Sequence, residues 1–213
     1  MTDATALRRS MVERQLAARG IRDPRVLAAM GEVPREAFVP EHLREAAYDD
    51  GPLPIGEQQT ISQPYIVALM IEAADVDPGD RVLEVGAGSG YAAAVLARIA
   101  RRVYAIERHE MLAHAAQRRV ADLGYDNLTV LAGDGSLGLP VHAPYDAILV
   151  AASCATAPEP LRQQLAVGGR LVVPVGGESL QSLRCVTRTG DDEWSEHDLG
   201  AVRFVPLIGV HGR

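Results

Sequence analysis

The sequence predicts an α/β fold, a doubly wound and mostly parallel sheet with a helical N-terminal cap and an antiparallel C-terminal edge. Three observations predict it. From Arg81 onward short apolar runs alternate with amphipathic stretches: RVLEV, YAAAVLARIA, RVYAIE, MLAHAAQRRVADLG, LTVLAG, YDAILVAA, PEPLRQQLAVGG and RLVVPV. Uniformly apolar strands separated by helices belong to a parallel sheet covered on both faces. Ahead of them, residues 5–19 and 23–31 carry helical spacing. Behind them, LRCVTRTGDDEWSEHDLGAVRFVPL holds two extended runs around a Gly-Asp-Asp turn, which brings the strands to seven.

Each element has its reason. Leu7, Met11 and Leu16 lie on one side of the first helix, and Asp23-Pro24 is a start signal for the second, which carries Val26, Leu27 and Met30. Pro34, Pro40, Gly51, Pro52, Pro54 and Gly56 then predict turns and short extended pieces leading into GEQQTISQPY, residues 56–65. A chain of 213 residues at 47% apolar suits one domain.

Composition excludes several partners. A net charge of -7 and a pI near 5.4 argue against nucleic acid, whose affinity rests on clustered Lys and Arg. No window approaches the roughly 18 apolar residues that span a bilayer, and no signal-peptide core is evident, so no membrane contact and a cytoplasmic location are expected. Cys154 and Cys185 are not a CxxC pair and are expected to be reduced, in or near the core. The six histidines, His42, His109, His114, His142, His197 and His211, lack metal-ligand spacing and are expected at the surface or in packing roles, with no metal. Arg101-Arg102 and Arg118-Arg119 are expected to be solvated, and Trp194 a half-buried edge aromatic.

In such folds ligands bind beyond the carboxyl ends of the strands. There the chain reads VLEVGAGSGY, with Gly86, Gly88 and Gly90 in a GxGxG turn rather than the GxGxxG of dinucleotide sites. Glu107 closes the second strand of the series, 21 residues after Gly86, where a carboxylate can accept from both hydroxyls of a ribose. A nucleoside-containing cofactor follows, and on these residues both a nicotinamide cofactor and S-adenosylmethionine stay open. Glu84 interrupts an apolar strand, so it is expected to face the site or a cluster of N–H groups. Asp134 before Gly135, read alone, is a turn residue.

RVLEVGAGSGY resembles motif I of the class I S-adenosylmethionine-dependent methyltransferases, and the chain as a whole resembles the protein-L-isoaspartate O-methyltransferase family. The resemblance runs from residue 10 to 208 and includes VPREAFVP (33–40), PLPIGEQQTISQPYIVALM (52–70), GDG (133–135), YDAILVAA (145–152), GGRLVVPVG (168–176) and VRFVPL (202–207). It implies one methyltransferase domain over 1–213 with a seven-stranded Rossmann-like sheet: cap and active-site loop in 1–65, cofactor core in 66–176, and substrate-site strands in 177–213. The implied cofactor is S-adenosyl-L-methionine, with S-adenosyl-L-homocysteine as product. Gly86, Gly88 and Gly90 would line its methionine part, Glu107 its ribose and Asp134 its adenine, with Glu84, Ala87, Ser89 and Gly135 also binding it. Gln59, Thr60 and Ile61 would close over it, and the hydroxyl of Ser62, the catalytic position, would face the substrate carboxylate. Val202, Arg203 and Val205 would meet the peptide.

The implied reaction methylates the free α-carboxyl of L-isoaspartyl residues in damaged proteins and peptides. The methyl ester closes to a succinimide whose hydrolysis restores some aspartate. A carboxylate with a reference pKa near 4 is already ionised at neutral pH, so the attack needs aim rather than a base. A monomer is expected. Alternatives are a methyltransferase for a specific aspartate of a modified peptide, in which an added C-terminal recognition domain would be expected, another small-molecule methyltransferase, or a non-catalytic cofactor-binding module, against which Ser62, Glu107 and Asp134 stand intact. Two departures from the family pattern matter. Gln58 stands where a glycine is common, which strains the loop if φ must be positive there, and residues 152–158 read ASCATAP, unlike the usual wall of the substrate cleft.

Overall fold

The computed structural model describes residues 3–177 and 179–212. Helix α1 (Ala4–Ser10), capped by the Asp3 carboxylate, runs on through a π-helical turn (Met11–Leu16) into a 3-10 turn (Ala17–Arg19). The apolar spacing explains the change of pitch. Leu7 to Met11 is a helical step, but Met11 to Leu16 is one residue too long for one face of an α-helix, and the π turn absorbs the extra residue. Both Met11 and Leu16 are buried. Helix α2 (Pro24–Glu32) starts where Asp23-Pro24 predicts, with Asp23 accepting from the Arg25 amide.

Residues 35–38 and 41–46 form two 3-10 turns. Strands β1 (Leu53–Gly56) and β2 (Gln59–Ile61) then pair antiparallel in a ribbon apart from the main sheet. The decapeptide GEQQTISQPY is therefore a hairpin tip, a strand and the start of helix α3 (Pro64–Ala74). The hairpin connection is Glu57 and Gln58, at φ 49° and 58°, positive at both central positions as in a type I′ turn. Gln58 thus adopts the conformation that favours glycine, at a cost of roughly 1–2 kcal/mol.

The main sheet contains β3 (Arg81–Val85), β4 (Arg102–Glu107), β5 (Leu128–Ala132), β6 (Tyr145–Val150), β7 (Leu165–Gly176), β8 (Gln181–Arg188) and β9 (Trp194–Val202), in the order β5-β4-β3-β6-β7-β8-β9. The first five are parallel, and β8 and β9 add antiparallel at the edge. Helices α4 (Tyr91–Ala97), α5 (Glu110–Asp122) and α6 (Glu159–Gln163) lie in the connections. The strand order turns back between β3 and β6, which puts the switch point at the carboxyl end of β3. Two apolar clusters cover the two faces, one built with the cap and holding Val82 and Leu149, the other holding Leu83, Val85 and Ile148. Glu84, by alternation along β3, falls on the side of Val82 and the cap.

Some expectations need correction. The apolar stretch LAVGG, read as the end of a helix, begins β7: α6 stops at Gln163, and Leu165 already pairs with Tyr145. The strand expected through VRFVPL ends at Val202: the Gln181 side chain takes both backbone groups of Phe204, and beyond it the chain bridges to Ser153 through Pro206. Arg101 and Arg118 are exposed as expected, and their neighbours are half-buried, each with partners in the fold. Arg102 lies over the Tyr104 ring and donates to Thr129 Oγ1 at 2.6 Å, and Arg119 donates to the Ser89 carbonyl at 2.8 Å. Cys154 and Cys185 are buried, and Trp194 is half-buried against the Arg162 guanidinium.

Candidate active site

A cleft of about 1210 Å³ opens at the carboxyl ends of β3, β4 and β6, a size suited to a nucleoside-containing ligand. It gathers Gln59, Thr60, Ile61, Ser62, Glu84, Gly86, Ala87, Gly88, Ser89, Glu107, Gly135, Val202, Arg203 and Val205 from segments far apart in the chain. Gly90 and Asp134 are not part of its wall.

The glycine turn is tied to the end of β4. The amides of Gly86 and Ala87 donate to the Ile106 carbonyl at 2.8 and 3.0 Å, and the amide of Gly88 donates to Glu107 Oε2 at 2.8 Å. Glu107 Oε1 accepts from the His109 amide at 2.9 Å, so a nearly buried carboxylate is oriented by two backbone donors. Gly88 sits at φ 52° under the hairpin, where an added Cβ would lie 3.1 Å from Ile55 Cδ1. At Gly135 a Cβ would come within 2.5 Å of Val85 Cγ1, so close packing against β1 and β3 favours glycine at both positions. Gly90 does different work: it caps α4, and its open side faces Ala116 and Val120 of α5.

Glu84 is 2% exposed, and its Oε2 has no partner among the described residues. Burial, and then the nearby Glu107 charge, push its carboxyl up to about 8. An orphaned acidic oxygen on the wall of this cleft fits a ligand that brings positive charge and N–H donors.

Asp134 is held from two sides. Its Oδ1 accepts from the amide and hydroxyl of Ser136 at 2.9 and 2.6 Å, and its Oδ2 accepts from the Val210 amide at 2.8 Å. Burial alone would raise its pKa, but the Ser136 hydroxyl and the Val210 and Ser136 amides outweigh that and hold it below the usual carboxylate range. The C-terminal segment continues the contact, with the His211 amide donating to Ser136 Oγ at 3.0 Å.

Four residues that sequence reasoning missed complete the site. Gln181, buried, donates to the Phe204 carbonyl at 3.1 Å, accepts from the Phe204 amide at 2.7 Å and also donates to Ser153 Oγ. Ser153, inside the unusual ASCATAP segment, takes the Val205 carbonyl on its amide at 2.8 Å. Together they hold residues 204–205 along the cleft where the β-ladder has stopped. His109, read as a surface or packing residue, lines the cleft mouth with its Nδ1 3.7 Å from Glu57 Oε2 at the hairpin tip. Arg35 donates to the Ser62 carbonyl at 2.8 Å from behind the loop. The unusual segment was the one available signal, for Ser153.

The fold agrees with what the chain is similar to. A solved structure of a protein-L-isoaspartate O-methyltransferase superposes with a TM-score of 0.85 at 32% identity, over 96% of this chain and 67% of its own. A Plasmodium falciparum structure described as a beta-aspartate methyltransferase (PCMT) in complex with S-adenosyl-L-homocysteine gives 0.82 at 28% identity, over 94% of this chain and 98% of its own. Protein-L-isoaspartate O-methyltransferase 2 of Pelobacter propionicus is 59% identical over 206 residues, 96% of this chain and 92% of that protein. The protein-L-isoaspartate O-methyltransferase of Roseiflexus castenholzii is 59% identical over 209 residues, 98% and 95%. The family model described as protein-L-isoaspartate(D-aspartate) O-methyltransferase (PCMT) matches residues 7–212, and the chain belongs to that family.

Proposed function

We propose that the cleft performs the family's reaction, transfer of a methyl group from S-adenosyl-L-methionine to the free α-carboxyl of an L-isoaspartyl residue, with S-adenosyl-L-homocysteine as product. The observation that carries this reading is the convergence on one cleft of Ser62, the glycine turn with Glu107, and the 202–205 segment. When bound, the cofactor supplies an electrophilic methyl group on a sulfonium centre. The residues fit it: the glycine turn at 86–88 stands on the cleft wall, and the unpartnered oxygen of Glu84 offers an acceptor for its positive charge.

The chain's own groups have separate tasks. Gly86, Ala87, Gly88 and Ser89 hold the methionine part. Glu107, oriented by the Gly88 and His109 amides, keeps lone pairs for the ribose hydroxyls. Gly135, on the cleft wall, serves the adenine end, and Asp134, off that wall, is held by Ser136 and the Val210 amide beside it. Gln59, Thr60 and Ile61 cover the cofactor from β2. The Ser62 hydroxyl donates to the substrate carboxylate, which is ionised at neutral pH and needs no base. Val202, Arg203 and Val205 receive the peptide, and recognition falls largely on backbone because the lesion is one of backbone. We read 1–65, 66–176 and 177–213 as parts of one domain acting as a monomer on protein rather than nucleic acid in the cytoplasm. Among the described residues no helix is long and apolar enough to cross a membrane.

The test is methyl incorporation into paired peptides that differ only in L-isoaspartate or L-aspartate, together with Ser62→Ala. Incorporation confined to the isoaspartyl peptide is expected. A hydrogen bond to a charged group is worth about 1.5–3 kcal/mol, so Ser62→Ala should slow turnover by roughly tenfold to a hundredfold with cofactor affinity unchanged. Equal labelling of both peptides would refute the substrate, and full turnover of the variant would refute the role of Ser62.

A further inference from the structure

Arg35, 0% exposed, heads the fully buried side chains in volume. It stands in the 3-10 turn that follows α2, and its guanidinium bridges two segments. Nε donates to the Ala47 carbonyl at 2.7 Å and Nη2 to the Ser62 carbonyl at 2.8 Å. The guanidinium carbon lies 4.8 Å from the centre of the Tyr91 ring, and Tyr91 lines the cleft. Nη1 has no partner, and among the described residues no carboxylate pairs with the cation.

Sealing a cation from water against carbonyls and a ring is unfavourable, and an apolar side chain of similar volume would serve packing better. The guanidinium therefore has a use in what it grips. Ser62 follows β2 and stands two residues before Pro64, which has no N–H to give. A charge-assisted bond from a planar, forked donor fixes it in position and in angle. The far anchor is itself held: the Arg8 guanidinium donates to Tyr48 Oη at 3.0 Å, Gln15 donates to the Tyr48 carbonyl at 2.8 Å, and Tyr48 Oη donates to Glu36. The helical cap thus reaches the loop through residues 47–48 and Arg35.

We propose that Arg35 is a positioning residue for methyl transfer: braced on Ala47, it clamps the Ser62 carbonyl and so sets the direction of the Ser62 hydroxyl in the cleft. This rests on the reading of Ser62 as the residue that meets the substrate carboxylate.

A double-mutant cycle tests it. Arg35→Met, Arg35→Lys and Ser62→Ala are assayed singly and combined, measuring kcat and KM on an isoaspartyl peptide and cofactor affinity by calorimetry. Arg35→Met should lower kcat by up to about a hundredfold, the effect a displacement of roughly 1 Å can have. Arg35→Lys, which keeps the charge without the fork, should recover part of that loss, and neither should change cofactor affinity. In the Ser62→Ala background neither should lower kcat further, since the hydroxyl they aim is gone. If Arg35→Met does not fold, Arg35→Lys alone closes the cycle. Wild-type kcat in the Arg35 variants, a loss confined to cofactor affinity, or the same fold-loss repeated without Ser62 overturns the proposal. Full activity of Ser62→Ala would instead remove the reading on which it rests.

Discussion

Replacing Glu84 by glutamine is expected to stabilise the ligand-free protein and to weaken its hold on the cofactor. The carboxyl is displaced from 4.5 to about 8, first by burial and then by the Glu107 charge, with the Ala93 amide pulling the other way. Below the lower value both folded and unfolded chains carry the proton, and the group does not affect stability. Between the two values the unfolded chain ionises while the folded chain keeps its proton, so stability falls as pH rises, by about 1.4 kcal/mol per pH unit. Taken from 4.5 to neutral pH, this interval amounts to roughly 3 kcal/mol. Glutamine keeps the shape and removes the titration. Urea unfolding of wild type and Glu84→Gln without cofactor, at pH 5 and pH 8, should show the variant's advantage small at the lower pH and roughly 4 kcal/mol at the higher. A variant no more stable than wild type at pH 8, or an advantage that does not grow with pH, would refute the reasoning. The proposed use of so unfavourable a carboxylate is to meet the ligand, as with other destabilised active-site groups. Binding of S-adenosyl-L-methionine to wild type at neutral pH should therefore release close to one proton, seen as a dependence of the calorimetric heat on buffer ionisation, and Glu84→Gln should lose that dependence along with affinity.

Gln181→Ala strands the N–H and C=O of Phe204, at about 1–3 kcal/mol for each group left unpaired. Peptide KM should rise while cofactor affinity, measured by calorimetry, stays the same. Gln58→Gly relieves a positive φ and should stabilise the chain by up to about 1 kcal/mol in chemical denaturation, and equal or lower stability would show that the turn carries no strain there.

The parts of the fold that were legible are those in which a residue type recurs at a fixed period. Apolar runs and helical spacing marked β3 to β9 and the cap, and Asp23-Pro24 marked the start of α2, because burial and capping each require particular side chains at particular steps. LAVGG was misread because a short apolar run of small residues satisfies helix and strand alike until a partner, here Tyr145, settles it. The β1–β2 hairpin escaped notice because its connection is Glu57-Gln58 rather than Asn-Gly. That the glycine turn and Glu107 meet on one cleft was legible in the sequence, because a turn without side chains at one strand end and a carboxylate at the next fall together at a switch point.

The supporting residues were hidden by the identity of their partners. Arg35 grips the carbonyl of Ser62, Arg119 that of Ser89, and Gln181 both groups of Phe204. Each partner is a backbone group, and every residue in the chain has a carbonyl, so a clamp of this kind imposes no residue type on the segment it holds. Arg118 and Arg119 are the same two letters in the sequence, yet one is exposed and the other donates to the Ser89 carbonyl beside the cofactor turn. What meets the ligand must be of a particular kind at a particular spacing. What aims it, in this cleft, needs only to reach a main chain that tertiary structure has brought within 3 Å or so, and such residues are found by asking of each buried polar side chain what it holds in place.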